Sequence, residues 1–449
     1  MRVKPIVHPL AGEHVVGVHP TMTPDVKTEW NRRLNLYTGR ALSDSALATE
    51  QQMRGGRLAL RGQMVSPGVV AGLEVGVERG SAAKSGAPLE GFFCQIAPGF
   101  GVTAAGEDVV LSRPLRVGLG DVSVYAPVRL LDAPLRSTPR PRPQRDGEVL
   151  MEERERAREV GLDRVESSRA LPVSEELRAQ PGGRRLEVRR AGGPLGELIA
   201  AGRAAELPRV GVLVLQPIVA ELVGEYDDED PCEEDPANYA FEDWQLADGF
   251  RLVFYAWPTE WEPLPMQGER WRNRIAYAVF NAERRHAPDE PLPWEEIGVP
   301  IALVAFDDAW AFQFIDRYTV VRAGGKPKRR TPLLLEAGHP FLWQARVQQL
   351  AEHLADDELD GLSARDLARH FRYLPPVGIL PANLVDFLTG DEALKAETRV
   401  RGSSFFPASY HITVAPVPLE QLDIAVEASA ALKPFDIFTR DQVEVLVPV

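Results

Sequence analysis

Cysteine is nearly absent: Cys94 and Cys232 are the only two in 449 residues. That excludes a disulfide framework and a Cys-rich zinc site, and it fits synthesis in a reducing compartment. No segment has the apolar length of a membrane span. The start of the chain, Met1 to Pro5 followed by His8, Pro9, Gly12 and Glu13, lacks the uninterrupted apolar core of a signal peptide. The expectation is cytoplasmic synthesis without membrane insertion, with any exit from the cell by lysis or as part of an assembly. Basic charge is in deficit, 51 Lys and Arg against 65 Asp and Glu, for a formal net charge of -14. Such a surface repels phosphate backbones, so nucleic acid is not an expected partner. The sequence contains no GxSxG, HExxH, Walker A or GxGxxG motif and no internal repeat.

What is present is an ordinary globular composition, 44% hydrophobic and 26% charged, in a chain long enough for several cores. Glycine (37) and proline (38) are plentiful, which favours strands, turns and irregular segments over long helices. The fold class read from this is α+β and multi-domain: an N-terminal helix plus a small antiparallel β module, a mixed α/β middle domain, and a small α+β C-terminal domain.

Along the chain, the spacing of Trp30, Leu34, Tyr37, Leu42, Ala46 and Leu47 predicts helix between 25 and 53, with Ser43 as an N-cap. From Leu58 onward short β-branched runs take over, at 68–75, 92–96, 108–111 and 121–125, separated by Pro67-Gly68, Pro98-Gly99 and Gly106. Residues 1–130 are therefore read as a helix and a β-rich module. Residues 131–208 read as a charged linker or insertion, with Arg-Pro alternation at 139–143 and few apolar residues to bury. In 209–357, Val210 to Leu215 is a continuous apolar run of a strand buried on both faces. Strands at 250–257 and 299–306 flank a helix at 270–285, and another helix spans 343–354. Residues 358–449 carry a short helix at 363–368 with Ser363 as N-cap, a strand at 410–414, a helix at 420–431, and an alternating strand at 442–447.

Each pattern with chemical potential has a plainer competitor. His8, His14 and His19 are spaced by six and five, which fits no zinc motif, and His8 and His19 each precede a proline, so extended turn residues are the preferred reading. The acidic stretch 225–235 lacks the frame of a calcium-binding EF-hand loop and reads as a solvated loop. Neighbouring carboxylates disfavour the Cys232 thiolate, against a nucleophilic role. Glu242, Asp243, Glu260 and Glu262 lie among Trp244, Trp257 and Trp261, a mixture that suits sugar stacking or glycoside hydrolysis. No acid/base pair is singled out by spacing, and tryptophan equally supplies subunit contacts. Arg322, Lys326, Lys328, Arg329 and Arg330 read as an exposed basic hairpin tip able to dock on an acidic neighbour. The residues expected at interfaces are thus Trp244, Trp257, Trp261, Trp271, Arg322, Lys326, Arg329 and Arg330. No catalytic residue, metal site or cofactor site is read from the sequence.

Three segments of the first module, Gly68 to Val75, Ile96 to Thr103 and Gly106 to Leu111, spell "GVVxGLEV … PGxxxxxxGxDVxL". This order resembles a module of baseplate and tail-fibre proteins from contractile injection systems and phage tails. Residues 373–381, Phe405-Phe406-Pro407 and 415–418 resemble the same group, as do 230–236 and 240–245; residues 131–208 do not. The resemblance implies a structural component of a phage-tail-like particle, a baseplate or tail-tip protein partnered by other subunits in a multimeric assembly, and it carries over no catalytic residue. The alternative expectation is a carbohydrate-binding tail-fibre or adhesin protein, with a hydrolase as the third.

Overall fold

The computed structural model describes residues 44–80, 89–131, 164–167, 189–222, 245–266, 270–286, 290–325, 342–360, 362, 364–375, 405–406, 411–422, 424–425, 434–439 and 442–449. The chain divides into two compact units, residues 1–61 and 62–449. The described part of the first is one helix, α1 (Asp44–Gly62). The predicted helix before residue 44 lies outside the described residues. Beyond Met53, α1 runs on through Gly55 and Gly56 into Leu58-Ala59-Leu60, where the sequence had placed the onset of β structure. Leucine, alanine and arginine are strong helix formers, and they offset the two glycines.

The second unit opens with six short strands, β1 (Gly68–Gly72), β2 (Val75–Arg79), β3 (Phe92–Ile96), β4 (Gly99–Val102), β5 (Asp108–Leu111) and β6 (Leu115–Gly118). They form two three-stranded antiparallel sheets, ordered β1-β4-β5 and β2-β3-β6. The segment 68–75, expected as one strand, is broken in two at Gly72 and Leu73, both left-handed with φ of 65° and 56°. A side chain at Gly72 would run into the Pro98 carbonyl, so only glycine permits this corner. The break lets the chain step from one sheet to the other. It also drives Leu73 inward to join Cys94, Ile96, Val109 and Leu111, each at most 6% exposed. Each large apolar side chain so buried contributes roughly 1.5–3 kcal/mol.

Next come β7 (Ser123–Pro127), α2 (Val128–Leu131), β8 (Arg164–Ser167), β9 (Arg189–Pro194), α3 (Leu195–Ala200), β10 (Val210–Leu222) and β11 (Gln245–Ala256). Helix α4 (Trp271–Arg285) connects these to β12 (Val299–Phe306) and β13 (Phe312–Asp316). A seven-stranded sheet runs β13-β12-β10-β11-β7-β9, with β8 pairing the far end of β10. The continuous apolar pattern of β10 and β12 is matched by burial on both faces: Val212, Leu215, Ile301 and Leu303 are all fully shut from water. Strand β10 is antiparallel to both β11 and β12, so α4 crosses over β10 to join two parallel strands.

Strands from both sides of the expected boundaries at 130/131 and 208/209 pair in this sheet. Strand β7 lies before the first, β8 and β9 lie between them, and β10 to β13 lie after the second, yet all share one sheet. One continuous apolar core reaches from Val69 through Leu195 to Val321. Strand β9 escaped notice because it is an edge strand bonded on one side only, and its Gly192-Gly193 leaves little apolar signal to read.

The chain continues through α5 (Leu342–Leu354), α6 (Ala364–Leu367), β14 (Tyr373–Leu374), β15 (His411–Val417), β16 (Phe435–Asp436) and β17 (Gln442–Pro448). Leu350, Leu359, Leu367, Phe371, Leu374, Phe405, Phe406 and Ile437 make a second core. Strands β15 and β17 pair in parallel, the strand at 410–414 extending further than expected. The predicted cap Ser363 lies outside the described residues, as does most of the predicted helix 420–431, which opens here with a 3-10 turn at Leu419–Gln421. Helix α4 bridges the cores. Its Ile275 and Val279 face the large sheet, while Ala276, Tyr277 and Phe280 pack on Leu342 and Ala345 of α5. Asn273, fully buried, clasps β14: its side-chain oxygen accepts from the Arg372 and Tyr373 amides at 3.0 and 2.9 Å, and its amide nitrogen donates to the Tyr373 carbonyl at 3.0 Å. Among the described residues no helix is long and apolar enough to cross a membrane.

Candidate functional site

Of the tryptophans expected at an interface, Trp257 is buried, while Trp261 and Trp271 are partly exposed. Trp257, at the end of β11, is 4% exposed and packs with Trp261 and the fully buried Trp294 at centroid separations of 5.3 and 5.7 Å. Trp261 is half-buried, 5.4 Å from Trp294 and 5.8 Å from the His286 ring. Trp257 donates its indole N–H to the Glu262 carbonyl at 3.2 Å. Trp257 is thus a core residue rather than an exposed contact, because its ring closes the end of the large sheet. Trp271, half-buried, stands edge-on to Phe314 at 5.2 Å. Glu262 is exposed and pairs with Arg285 at 2.8 Å. Trp244, Glu242 and Asp243 lie outside the described residues.

Arg322 corrects the expectation of an exposed basic tip. It is 1% exposed and donates through Nε, at 2.9 Å, and Nη2 to the two carboxylate oxygens of Glu283 on α4. Its remaining donors reach the Tyr318, Val321 and Thr319 carbonyls at 3.0, 2.8 and 3.1 Å. A charge that can saturate all its donors internally is drawn in rather than out. Lys326, Lys328, Arg329 and Arg330 lie outside the described residues.

Arg322 belongs to a larger set of inward-facing ionisable groups where β13, the turn after it, α4 and α5 converge. Asp316, fully buried, accepts from Gln349 at 2.8 Å, from Arg272 Nε at 3.5 Å and from the Thr319 amide at 3.3 Å. Arg272 also pairs with Asp356. Glu352 accepts from the Arg317 amide at 3.0 Å through each oxygen and from the Tyr318 amide at 3.2 Å. Burial, reinforced by the negative charge of Asp316, pushes the Glu352 carboxyl up to about 8 against the pull of those amides and of Arg272. The His353 ring lies tilted against Phe371 at 4.4 Å, and burial, aided by Arg272 and His370, holds it neutral by pushing its pKa well below the usual histidine range. Arg317 extends the set outward, donating to the Gly72 carbonyl at 2.7 Å and pairing with Glu74 at 3.3 Å.

The carboxylates of this cluster are engaged by amides and guanidinium groups of the same chain, an arrangement that joins elements. No spacing in the sequence marked them. Asp316 ends an apolar strand, and Glu352 sits among the polar residues of a helix whose apolar face alone was legible. Among the described residues no group of three or more His, Cys, Asp or Glu side chains is placed to hold a metal ion. His8, His14, His19 and the acidic stretch 225–235 lie outside the described residues. Cys94 is buried, with its thiol pushed up to about 12 by burial.

One surface stands out against this inward economy. On the outer side of sheet β1-β4-β5, Phe100 and Val110 are cross-strand partners, 42% and 56% exposed. Val70, 36% exposed, sits where the register of β1 against β4 shifts between Val69 and Ala71. Alternate residues Val69, Val109 and Leu111 face the core. The unbroken apolar run Val109-Val110-Leu111 was the available signal, since a strand with one wet face alternates with polar residues.

No family model matches this sequence, and no curated protein matches it at a significant level.

Proposed function

We propose that the chain is a structural component of a phage-tail-like contractile particle, a baseplate or tail-tip protein that acts through subunit contacts. The observation that carries the reading is the exposed apolar face Val70, Phe100 and Val110. It lies on the strands whose residues spell the resemblance to baseplate and tail-fibre proteins. A cluster of neighbouring apolar side chains on a twisted three-stranded sheet is a surface for another protein, whereas isolated exposed apolar residues are commonplace. Supporting it, Arg272 with Asp316 and Asp356, and Arg322 with Glu283, tie β13, the turn after it, α4 and the segment after α5 together, which suits a rigid building block. In this reading 62–130 is the contact module, the large sheet is its platform, and the C-terminal elements brace both. The carbohydrate-binding alternative draws less support, because Trp257 and Trp294 present no face to solvent.

The experiment is to purify intact particles from the producing cells and look for this protein by mass spectrometry. Its presence in stoichiometric amount, and its loss from particles carrying Phe100→Asp, is the expected result. Absence from particles that assemble and function normally removes the proposal.

A further inference from the structure

Arg346, on α5, is 4% exposed, and its Nε and Nη2 have no hydrogen-bond partner among the described residues. Across the α4–α5 seam Tyr277 is 1% exposed, and its hydroxyl is likewise without a partner. Phe280 holds the two together. Its ring centroid lies 5.8 Å from the Arg346 guanidinium carbon and 5.5 Å from the Tyr277 ring. The carboxylate one turn along α4, Glu283, is already taken, since both its oxygens accept from Arg322. Among the described residues, the groups that act on Arg346 are Tyr277 and Glu283, which favour its charge, and Arg284 and Arg322, which oppose it. Burial pushes the Arg346 pKa down; Tyr277 and Glu283 pull against this, while Arg284 and Arg322 add to it. Burial raises that of Tyr277. A guanidinium closed off from water beside other guanidinium groups is costly unless a counter-charge joins it.

We propose that Arg346 and Tyr277 form an interior receptor for one small oxyanion, a carboxylate or inorganic phosphate, gripped by the Nε and Nη2 edge of the guanidinium and by the phenol hydroxyl. The same pair of nitrogens is what Arg322 uses for Glu283, and two in-plane N–H groups match two oxygens on one carbon or phosphorus. The tyrosine hydroxyl supplies a third donor. Both receptor side chains are enclosed, so the occupant is small; a segment of another protein does not reach them. The anion compensates the surplus positive charge of the seam and so stabilises the packing of α5 on α4. The site is independent of the assembly role proposed above.

The test melts the full chain at pH 7 in sodium acetate, in sodium phosphate, and in sodium chloride at matched ionic strength. Above half-saturation, the responsive oxyanion raises the midpoint over chloride by about 1–2 °C per tenfold increase in concentration. Whichever of acetate and phosphate responds identifies the class. Arg346→Met melts no lower than the parent in chloride, since an uncompensated charge has been removed, and it shows no oxyanion-dependent rise. A purely structural arginine would instead leave that variant weakened in every buffer. Tyr277→Phe keeps the ring and shows a reduced rise, and it decides the matter if Arg346→Met does not fold. The exposed Arg285→Met responds like the parent. If neither oxyanion exceeds chloride, or if Tyr277→Phe and Arg346→Met retain the full rise, the proposal is wrong.

Discussion

Arg322 and Glu283 face each other fork to fork in the interior, with exposures of 1% and 3%, linking the turn after β13 to helix α4. Both side chains are shut from water. Removing one partner therefore costs more than the pair itself contributes. Glu283→Ala is expected to destabilise by about 3–5 kcal/mol, because Arg322 is left charged and buried. Combining Glu283→Leu with Arg322→Met should recover most of that loss. Urea denaturation of the parent, Glu283→Ala and the double variant measures both effects.

Glu352 sets a slope of stability against pH. Its folded pKa is about 8 against an ordinary 4.5, so between those values the folded chain holds a proton that the unfolded chain has released. Stability from this group accordingly falls as pH rises from about 4.5 to about 8, and is level outside that window. Glu352→Gln should flatten the curve there, and it should be at least as stable as the parent at pH 8. Thermal melts across the range provide the check.

His353 works in the other direction. Its folded pKa is depressed, so below the ordinary histidine value of 6.5 the unfolded chain takes up a proton that the folded chain refuses. Stability is lost as pH falls below about 6.5. In His353→Phe the acid-side loss should be smaller, with the packing on Phe371 partly kept. Titrating the midpoint of unfolding from pH 7 to 5 for both proteins reads this out.

The outer and inner faces of β5 should respond differently to substitution. Val110→Ser, at an exposed position, is expected to change stability by less than about 0.5 kcal/mol, whereas Val109→Ala, 2% exposed, should cost about 1–2 kcal/mol. If the proposed assembly role holds, incorporation into particles should follow the reverse order, with Val110→Ser the more damaging.

Gly72→Ala should destabilise by about 1–3 kcal/mol, since the corner combines a positive φ with a carbonyl pressed against the position of the missing side chain. Circular dichroism melts would show it, and Gly76→Ala, which has open space around it, is the control.

The strands that carry their own periodicity were legible from sequence. Val299 to Phe306 and the core of β10 are runs whose continuity means burial on both faces, and helices α4 and α5 announce themselves by apolar spacing. What stayed hidden depends on partners distant in the chain. β7 pairs with β11 in parallel across more than a hundred residues, and β9 closes an edge without apolar content of its own. Buried charge was also misplaced. A run of basic residues after β13 reads as a solvated tip until Glu283 is known to lie opposite Arg322. The apolar character of Val70, Phe100 and Val110 was on the page, but strand alternation cannot say which neighbour leaves a face uncovered.

Arg317 meets three parts of the molecule at once: its amide is held by Glu352 of α5, its guanidinium by the Gly72 carbonyl and by Glu74, and its own position follows the end of β13. The corner at Gly72 and helix α5 are therefore coupled through this one residue. Hydrogen exchange around residues 72–74 and along α5 should slow and quicken in step, so that a load applied to one end of this unit is felt at the other.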